Sequence, residues 1–573
     1  MSGPSAANNE EDKSGGAGSV GAAAVIGVVG AGTMGAGIAQ LATRSGARTL
    51  LHDPIADALK SGVQKIEDGL GKEAAKGRLS DEQAAAAVAR VEPAPDLAQL
   101  APCELVIEAA PERLELKHEI YSALSQIVDE RCVLASNTSS LLVTAIAPAA
   151  AHPERVVGMH FFNPAPIMRL LEVVAGEQSS SRALALAHAT GQAMGKTVIR
   201  ATDGPGFLVN RSNRPFGLEA LRLLQERIAD VETIDRICRM QGGFRMGPFE
   251  LMDLVGVDVG FEISKSFYAQ SFGEPRWRPS PIAARYVAAG LHGRKTKRGY
   301  YSYDSPATGN GPPHRPPDPD VREAERPGTG EGVIVIAGSG VVAEELRHEA
   351  AQAGYEVRSP HDPTGGVLPA LIVECDREPV PRAALGSSEG PREGHAHETT
   401  QGGAHLVLCQ AGSLGALDPD GSAVGFHVLA PLEQARLVEL TRTDSSSPLA
   451  AARAERFFAA LGKHVAWVRD APGLVLGRII CQVINECAFS LGEGVGSAGD
   501  IDTGMVLGLS YPLGPLKWAD ELGLDHVLTV LDALYGEYRE ERYRPAPTLR
   551  RLVQAGRLGR TTGSGFFEYD RDS

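Results

Sequence analysis

"AVIGVVGAGTMGAGIAQLATRSG" occupies residues 24–46 of a 573-residue chain. The run "AVIGVV" (24–29) reads as a buried strand, and Gly30, Gly32 and Gly35 follow it as a glycine-rich turn. "MGAGIAQLATRSG" then has helical spacing and stops at Gly46. Strand, glycine turn and helix in that order open a βαβ unit. Outward from this stretch, "RTLLHD" (48–53), "LVIEAA" (105–110), "CVLAS" (132–136), "RVVGMHFF" (155–162) and "LLEVVAG" (170–176) read as further strands between helical patterns. Such alternation predicts a parallel sheet with crossover helices.

After "TDGPGFLVNR" (202–211) strand-like runs stop, and amphipathic helical spacing continues to about residue 292, closing with "GRKTKRGYYSYD" (293–304). Residues 305–331 hold seven prolines among glycines and charges and read as a linker. The plan then repeats. "GVIVIAGSGVVAEEL" (332–346) is again strand, turn and helix, "DAPGLVLGR" (470–478) echoes "DGPGFLVNR" (203–211), and "GRTTGSGFFEYD" (559–570) echoes the closing motif. "VGMHFFNPAPIMRLLEV" (157–173) and "VGFHVLAPLEQARLVEL" (424–440) each place a Glu twelve residues after a His. The two copies lie 308 positions apart at the glycine turns but 267 apart at the histidines, so the second has lost about forty residues inside its sheet. The expected fold is therefore an α/β Rossmann-type parallel-sheet domain plus an all-α domain, duplicated, with a degenerate and shortened second sheet part. The expected segments are a disordered tail (1–22), sheet domain (23–201), helical domain (202–304), linker (305–331), second sheet domain (332–469) and second helical domain (470–573).

A net charge of −15 argues against nucleic acid as the main partner. No apolar run reaches the ~18 residues of a membrane span. The polar, acidic first twenty residues lack the form of a signal peptide. Seven scattered cysteines without a CxxC pair fit a reduced, cytoplasmic setting. No metal site is expected.

Gly30, Gly32 and Gly35 form GxGxxG with a strand before and a helix after, and Asp53 ends the next strand. The first glycine permits the turn, the second lets a pyrophosphate approach, and the third packs helix on strand. Asp53 is placed to bind ribose hydroxyls and repel a 2′-phosphate, which points to NAD. In the second copy Gly338 and Gly340 remain, but Ala343 stands third and His361 falls at the acidic position, with Asp362 one residue off. His160 and Glu172, on adjacent predicted strands, make a candidate base with a fixed tautomer. "SNTSS" (136–140) and Asn210 add hydroxyls and amides at the same cleft.

These motifs resemble the L-3-hydroxyacyl-CoA dehydrogenase family. "IGVVGAGTMGAGIAQ", "VIEAAPERLELK", "SNTSSL", "GMHFFNPAPIMRLLEVV", "DGPGFLVNR", "MGPFELMDLVGVD" and "GRKTKRGYYSY" carry the likeness, in order, over most of residues 23–304. The resemblance implies NAD-dependent oxidation of an L-3-hydroxyacyl-CoA to the 3-oxoacyl-CoA. It implies His160 as general base, Glu172 as its partner, Ser139 on the substrate's 3-oxygen, and Asn210 holding substrate. Glu112 and Lys117 match cofactor-contacting positions, and Lys76 falls where the family has a basic contact to coenzyme A. Lys297 departs from the family pattern, which has glycine there.

His427 and Glu439 retain the pair in the second copy, but Gly477 stands where Asn210 would be and no SNTSS-like string precedes His427. The second copy is expected to be a scaffold whose helical domain gives a pseudo-dimer within one chain, with a homodimer of such chains as a further possibility. The layout resembles bacterial dehydrogenases of 3-hydroxyadipyl-CoA or 3-hydroxybutyryl-CoA in aromatic-acid breakdown, with fatty-acid β-oxidation as the other setting. The competing reading is an NAD-dependent dehydrogenase of a free hydroxy or sugar acid on the same scaffold.

Overall fold

The computed structural model describes residues 21–303, 318, 330–361, 367–375, 404–419 and 421–570. The tail up to residue 20, nearly all of the linker and Asp362 lie outside these residues. The chain forms two compact units, Met1–Ile199 and Arg200–Ser573.

In the first unit the strands are β1 (Val25–Val29), β2 (Arg48–His52), β3 (Val91–Ala94), β4 (Leu105–Glu108), β5 (Val133–Ser136), β6 (Val156–Phe161) and β7 (Leu170–Ala175), with β8 (Thr197–Thr202) carrying the chain onward. Their order is β3-β2-β1-β4-β5-β6-β7-β8. β1 pairs with β2 on one side and β4 on the other, both parallel, so the order reverses at β1. That switch point is where open α/β sheets bind ligands. The inner strands are buried on both faces: Val28, Ile107, Val133 and Val157 have no exposed surface. Each such side chain contributes about 1.5–3 kcal/mol by leaving water, and continuous apolar runs are what doubly covered parallel strands require.

Two strands escape the sequence pattern. β3 is "VEPA", with Pro93 inside it, and lies at the sheet edge, where a missing N–H costs little. β8, at the other edge, alternates buried and exposed residues. β6 and β7 pair antiparallel, because the connection between them is too short for a crossover helix. Helix α1 (Thr33–Arg44) follows the glycine turn, and α2 (Ala56–Ala75) and α3 (Asp81–Val88) separate β2 from β3.

The second unit begins with helices including Val209–Ser212, Arg214–Gln225, Val231–Met240, Pro248–Val255 and Val257–Gln270. A second sheet follows, of β9 (Val333–Ala337), β10 (Glu356–Arg358), β11 (Leu371–Glu374), β12 (Ala404–Leu408), β13 (Val424–His427), β14 (Leu437–Thr441) and β15 (His464–Trp467). Its order, β10-β9-β11-β12-β13-β14-β15, reproduces the first sheet without a counterpart of β3 among the described residues. Only residues 359–370 separate β10 from β11, so the expected loss is the α2–α3–β3 segment.

The two helical repeats pack on each other, principally Arg214–Gln225 against Leu476–Gly492. Arg211 pairs with Glu486 at 2.9 Å and Glu493 at 2.7 Å. Arg478 pairs with Glu219, and with Glu226 at 2.7 Å. All three pairs of counterparts lie 267 positions apart. Reciprocal contacts of this kind mark a two-fold relation, here between two segments of one chain.

Lys297 occupies the left-handed region (φ 60°), as does its second-copy counterpart Gly563 (φ 75°). The local turn is kept despite the missing glycine, at the cost of strain in an L-residue. Lys297→Gly is expected to raise the stability of this unit by about 1 kcal/mol without altering activity, as read by urea unfolding.

Candidate active site

The glycine turn is shaped by close approach. Gly30 has φ +99°, and a Cβ there would stand 2.7 Å from the Ala109 carbonyl oxygen at the end of β4. A Cβ on Gly35 would strike the Gly30 carbonyl oxygen, so this glycine lets α1 settle on the turn. Nothing lies within 4 Å of a Cβ built on Gly32, which begins α1 with no side-chain cap. Asp53 accepts the Ala31 N–H through Oδ2 and the Ile55 N–H through Oδ1, each at 2.9 Å. The carboxylate thus caps its own turn and also faces the glycine loop. An open, uncapped helix start with an oriented acid beside it fits a pyrophosphate and a ribose.

Beside this turn lies a buried polar network. Glu108 closes the otherwise apolar β4 and is 1% exposed. It accepts from Lys117 Nζ at 2.7 and 2.9 Å, from the Ser136 hydroxyl at 2.7 Å and from the Ala110 N–H at 2.7 Å. Lys117, on α4 (Leu114–Ile127), is itself 1% exposed and reaches Glu112 at 3.3 Å. Glu112 in turn accepts from the Thr138 hydroxyl (2.6 Å) and from the Ser139 and Ser140 N–H groups (3.0 Å each). Burial works against its ionisation, but Lys117, the Thr138 hydroxyl and the Ser139 amide outweigh it and hold the carboxyl below its ordinary range. Lys117, Glu112 and Ser139 are thereby tied into one cluster. Glu108 went unnoticed in the sequence, although a carboxylate ending an apolar strand at the ligand-binding edge is a usable signal, and Ser136 is read there only as part of SNTSS.

His160 and Glu172 are direct partners across the β6–β7 ladder. His160 Nδ1 stands 2.6 Å from Glu172 Oε2, with Glu172 fully buried and His160 7% exposed. The Asn137 side-chain oxygen Oδ1 accepts the Phe161 N–H at 2.9 Å and fixes the strand end just past His160. The Phe162 ring packs against the imidazole, with centroids 4.7 Å apart. Lys76 is exposed at the C-terminal end of α2 and joins none of these groups. Asn210, half-buried in the helix Val209–Ser212, belongs to the second unit.

The second pair is a correction to the expected one. His427 and Glu439 keep the same register across β13 and β14. Yet neither ring nitrogen of His427 has a hydrogen-bond partner among the described residues. Glu439 instead accepts the Val475 and Leu476 N–H groups at 2.7 and 3.0 Å. The His427 ring fills the space over Gly477, where even a Cβ would collide with it. Burial, with His526 nearby, drives the imidazole's pKa well below its ordinary value, and burial pushes the Glu439 carboxyl up to about 8 despite its two amide donors. With Glu439 engaged by the two backbone amides and the His427 ring bonded to neither the carboxyl nor any other described group, the pair is not arranged as a base and its orienter. Arg347 donates to the Gly338 carbonyl oxygen on the second glycine turn.

All seven cysteines are buried free thiols. Among the described residues no helix is long and apolar enough to cross a membrane, and no group of three or more His, Cys, Asp or Glu is placed to hold a metal ion.

Comparison with known proteins identifies the family of both parts of the chain. The family profile described as 3-hydroxyacyl-CoA dehydrogenase, NAD binding domain, matches residues 25–204. The profile described as 3-hydroxyacyl-CoA dehydrogenase, C-terminal domain, matches 206–303 and again 473–569. A 3-hydroxyadipyl-CoA dehydrogenase of Escherichia coli is 33% identical over 533 residues, 93% of this chain and 98% of its own. A probable 3-hydroxybutyryl-CoA dehydrogenase of Deinococcus radiodurans is 40% identical over 278 residues, 48% of this chain and 99% of its own. The crystal structure of a 3-hydroxybutyryl-CoA dehydrogenase from Escherichia coli superposes with a TM-score of 0.74 at 31% identity, covering 93% of this chain and 99% of that one.

Proposed function

Because the chain belongs to the 3-hydroxyacyl-CoA dehydrogenase family and is an NAD-binding oxidoreductase, we propose that its first copy oxidises an L-3-hydroxyacyl-CoA with His160 as the general base. The observation that carries this reading is the 2.6 Å contact between His160 Nδ1 and buried Glu172. Glu172 holds the proton on Nδ1, which makes Nε2 the nitrogen that accepts one. His160 takes the proton of the C3 hydroxyl there, and Glu172 stabilises the imidazolium that results. NAD, when bound, supplies the hydride acceptor. Gly30, Gly32 and Gly35 receive its pyrophosphate, and Asp53 its adenosine ribose. Glu112 and Lys117 hold the side nearer the nicotinamide, where the Thr138 hydroxyl and the Ser139 and Ser140 amides fix the Glu112 carboxylate beside Lys117. Ser139 contacts the 3-oxygen, Asn210 gives the substrate an amide, and Lys76 meets coenzyme A. The second copy serves as a scaffold.

The setting we favour is aromatic-acid or fatty-acid catabolism in the cytoplasm, in keeping with the relatives' substrates and the seven reduced thiols. NADH formation tests the reading. L-3-Hydroxybutyryl-CoA is expected to support turnover and free 3-hydroxybutyrate is not. Equal rates with the free acid would favour a hydroxy-acid dehydrogenase instead.

A further inference from the structure

The second unit contains a cavity in its first helical repeat with a cation that no described residue neutralises. It holds about 140 Å³, comparable to engineered cavities of about 150 Å³ that accept benzene, so it suits a short chain rather than a nucleotide. Its walls are mainly Phe216, Leu221, Leu251, Met252, Val255 and Phe261. Four polar side chains border it, and three are satisfied. Asn213 Oδ1 accepts the Tyr511 hydroxyl at 2.8 Å, the Ser264 hydroxyl donates to the Gly260 carbonyl oxygen, and Ser280 caps its helix at Ile282. The fourth is Arg214. Its Nε donates to the Asn210 carbonyl oxygen at 3.3 Å, and its guanidinium lies 4.8 Å from the Phe267 ring centroid. No carboxylate pairs with it among the described residues. Burial alone lowers its pKa, to about 10. Arg214 is half-buried at the border of these apolar walls, and a partly desolvated guanidinium without a counter-ion is stabilised when a ligand brings one.

Taking Asn210 as a contact for the reacting end of the substrate, we infer that Arg214 and this cavity receive a carboxylate at the far end of the acyl chain, so that the preferred substrate is a dicarboxylyl-CoA. The inference rests on the dehydrogenase reading above. Arg214 stands four residues after Asn210, one helical turn or about 6 Å along the axis. A six-carbon acyl chain running from C3 to a terminal carboxylate spans a similar length. Guanidinium and carboxylate pair bidentately, which an uncharged chain end of equal length cannot match.

The test compares kcat/KM for 3-hydroxyadipyl-CoA and 3-hydroxyhexanoyl-CoA, which differ only in the terminal carboxylate. The intact protein should prefer the dicarboxylate by at least about tenfold. Arg214→Gln should cut kcat/KM for the dicarboxylate by about a hundredfold, mainly through KM, and leave the hexanoyl substrate nearly unaffected. Equal loss on both substrates, or loss on neither, would overturn the subsite while leaving the dehydrogenase reading intact. An intact protein inactive on both substrates would defeat that reading and the subsite together. If Arg214→Gln does not fold, the intact protein's preference decides: a ratio at or below unity rules the subsite out.

Discussion

Replacing His160 with Gln is expected to lower kcat by about 10²–10⁴-fold while NAD affinity stays unchanged. Gln keeps the volume and a hydrogen-bonding head but cannot take a proton. The same change at His427 is expected to leave the rate as it is. The contrast follows from the two environments. His160 is held at 2.6 Å by Glu172, whereas His427 has no partner on either nitrogen among the described residues and lies in a fully buried site. Steady-state rates of the two variants decide the matter. A large loss from His427→Gln with the fold intact would mean that the second copy takes part in the chemistry.

The second large effect is on stability. Arg478→Met is expected to destabilise the second unit by about 3–5 kcal/mol, because it strands two carboxylates that the arginine now neutralises. Arg478 has no exposed surface, and it binds Glu219, Glu226 and the hydroxyls of Tyr538 and Tyr543, the last two at 2.9 and 2.7 Å. Its counterpart Arg211 pairs partly with Glu493, whose side chain is 48% exposed, so Arg211→Met should cost less. The three tryptophans, Trp277, Trp467 and Trp518, all belong to this unit, so their fluorescence during urea unfolding reports on it alone. An unshifted midpoint for Arg478→Met would mean that the helical repeats are held together by apolar packing without help from the charges.

What the sequence made legible follows from local physics. β1, β4, β5 and β6 are read from their apolar runs because strands covered on both faces must be apolar throughout. The glycine turn is legible because its conformations admit little else. His160 and Glu172 are legible as a pair because a twelve-residue spacing across two strands can place them in register. β3 is hidden because an edge strand tolerates Glu92 and Pro93, which argue against a strand when read alone. The Glu108–Lys117 contact is hidden because a lysine on a helix ordinarily faces water, and only its burial reveals the acid it serves. Least legible is the difference between the copies. His427 and Glu439 repeat the motif and its register, but Glu439 is taken up by two backbone amides and the His427 ring occupies the space over Gly477. The reciprocal Arg–Glu pairs join residues more than two hundred and fifty positions apart, a contact that no local pattern announces.

Titration of the intact protein with NAD, followed by calorimetry, tests most directly whether the duplicated halves are functionally unequal. One NAD per chain, with binding weakened by Asp53→Ala and unaffected by His361→Ala, is the expected result. Two equivalent sites per chain would contradict it, because the second glycine turn would then be a working half rather than a support for the first.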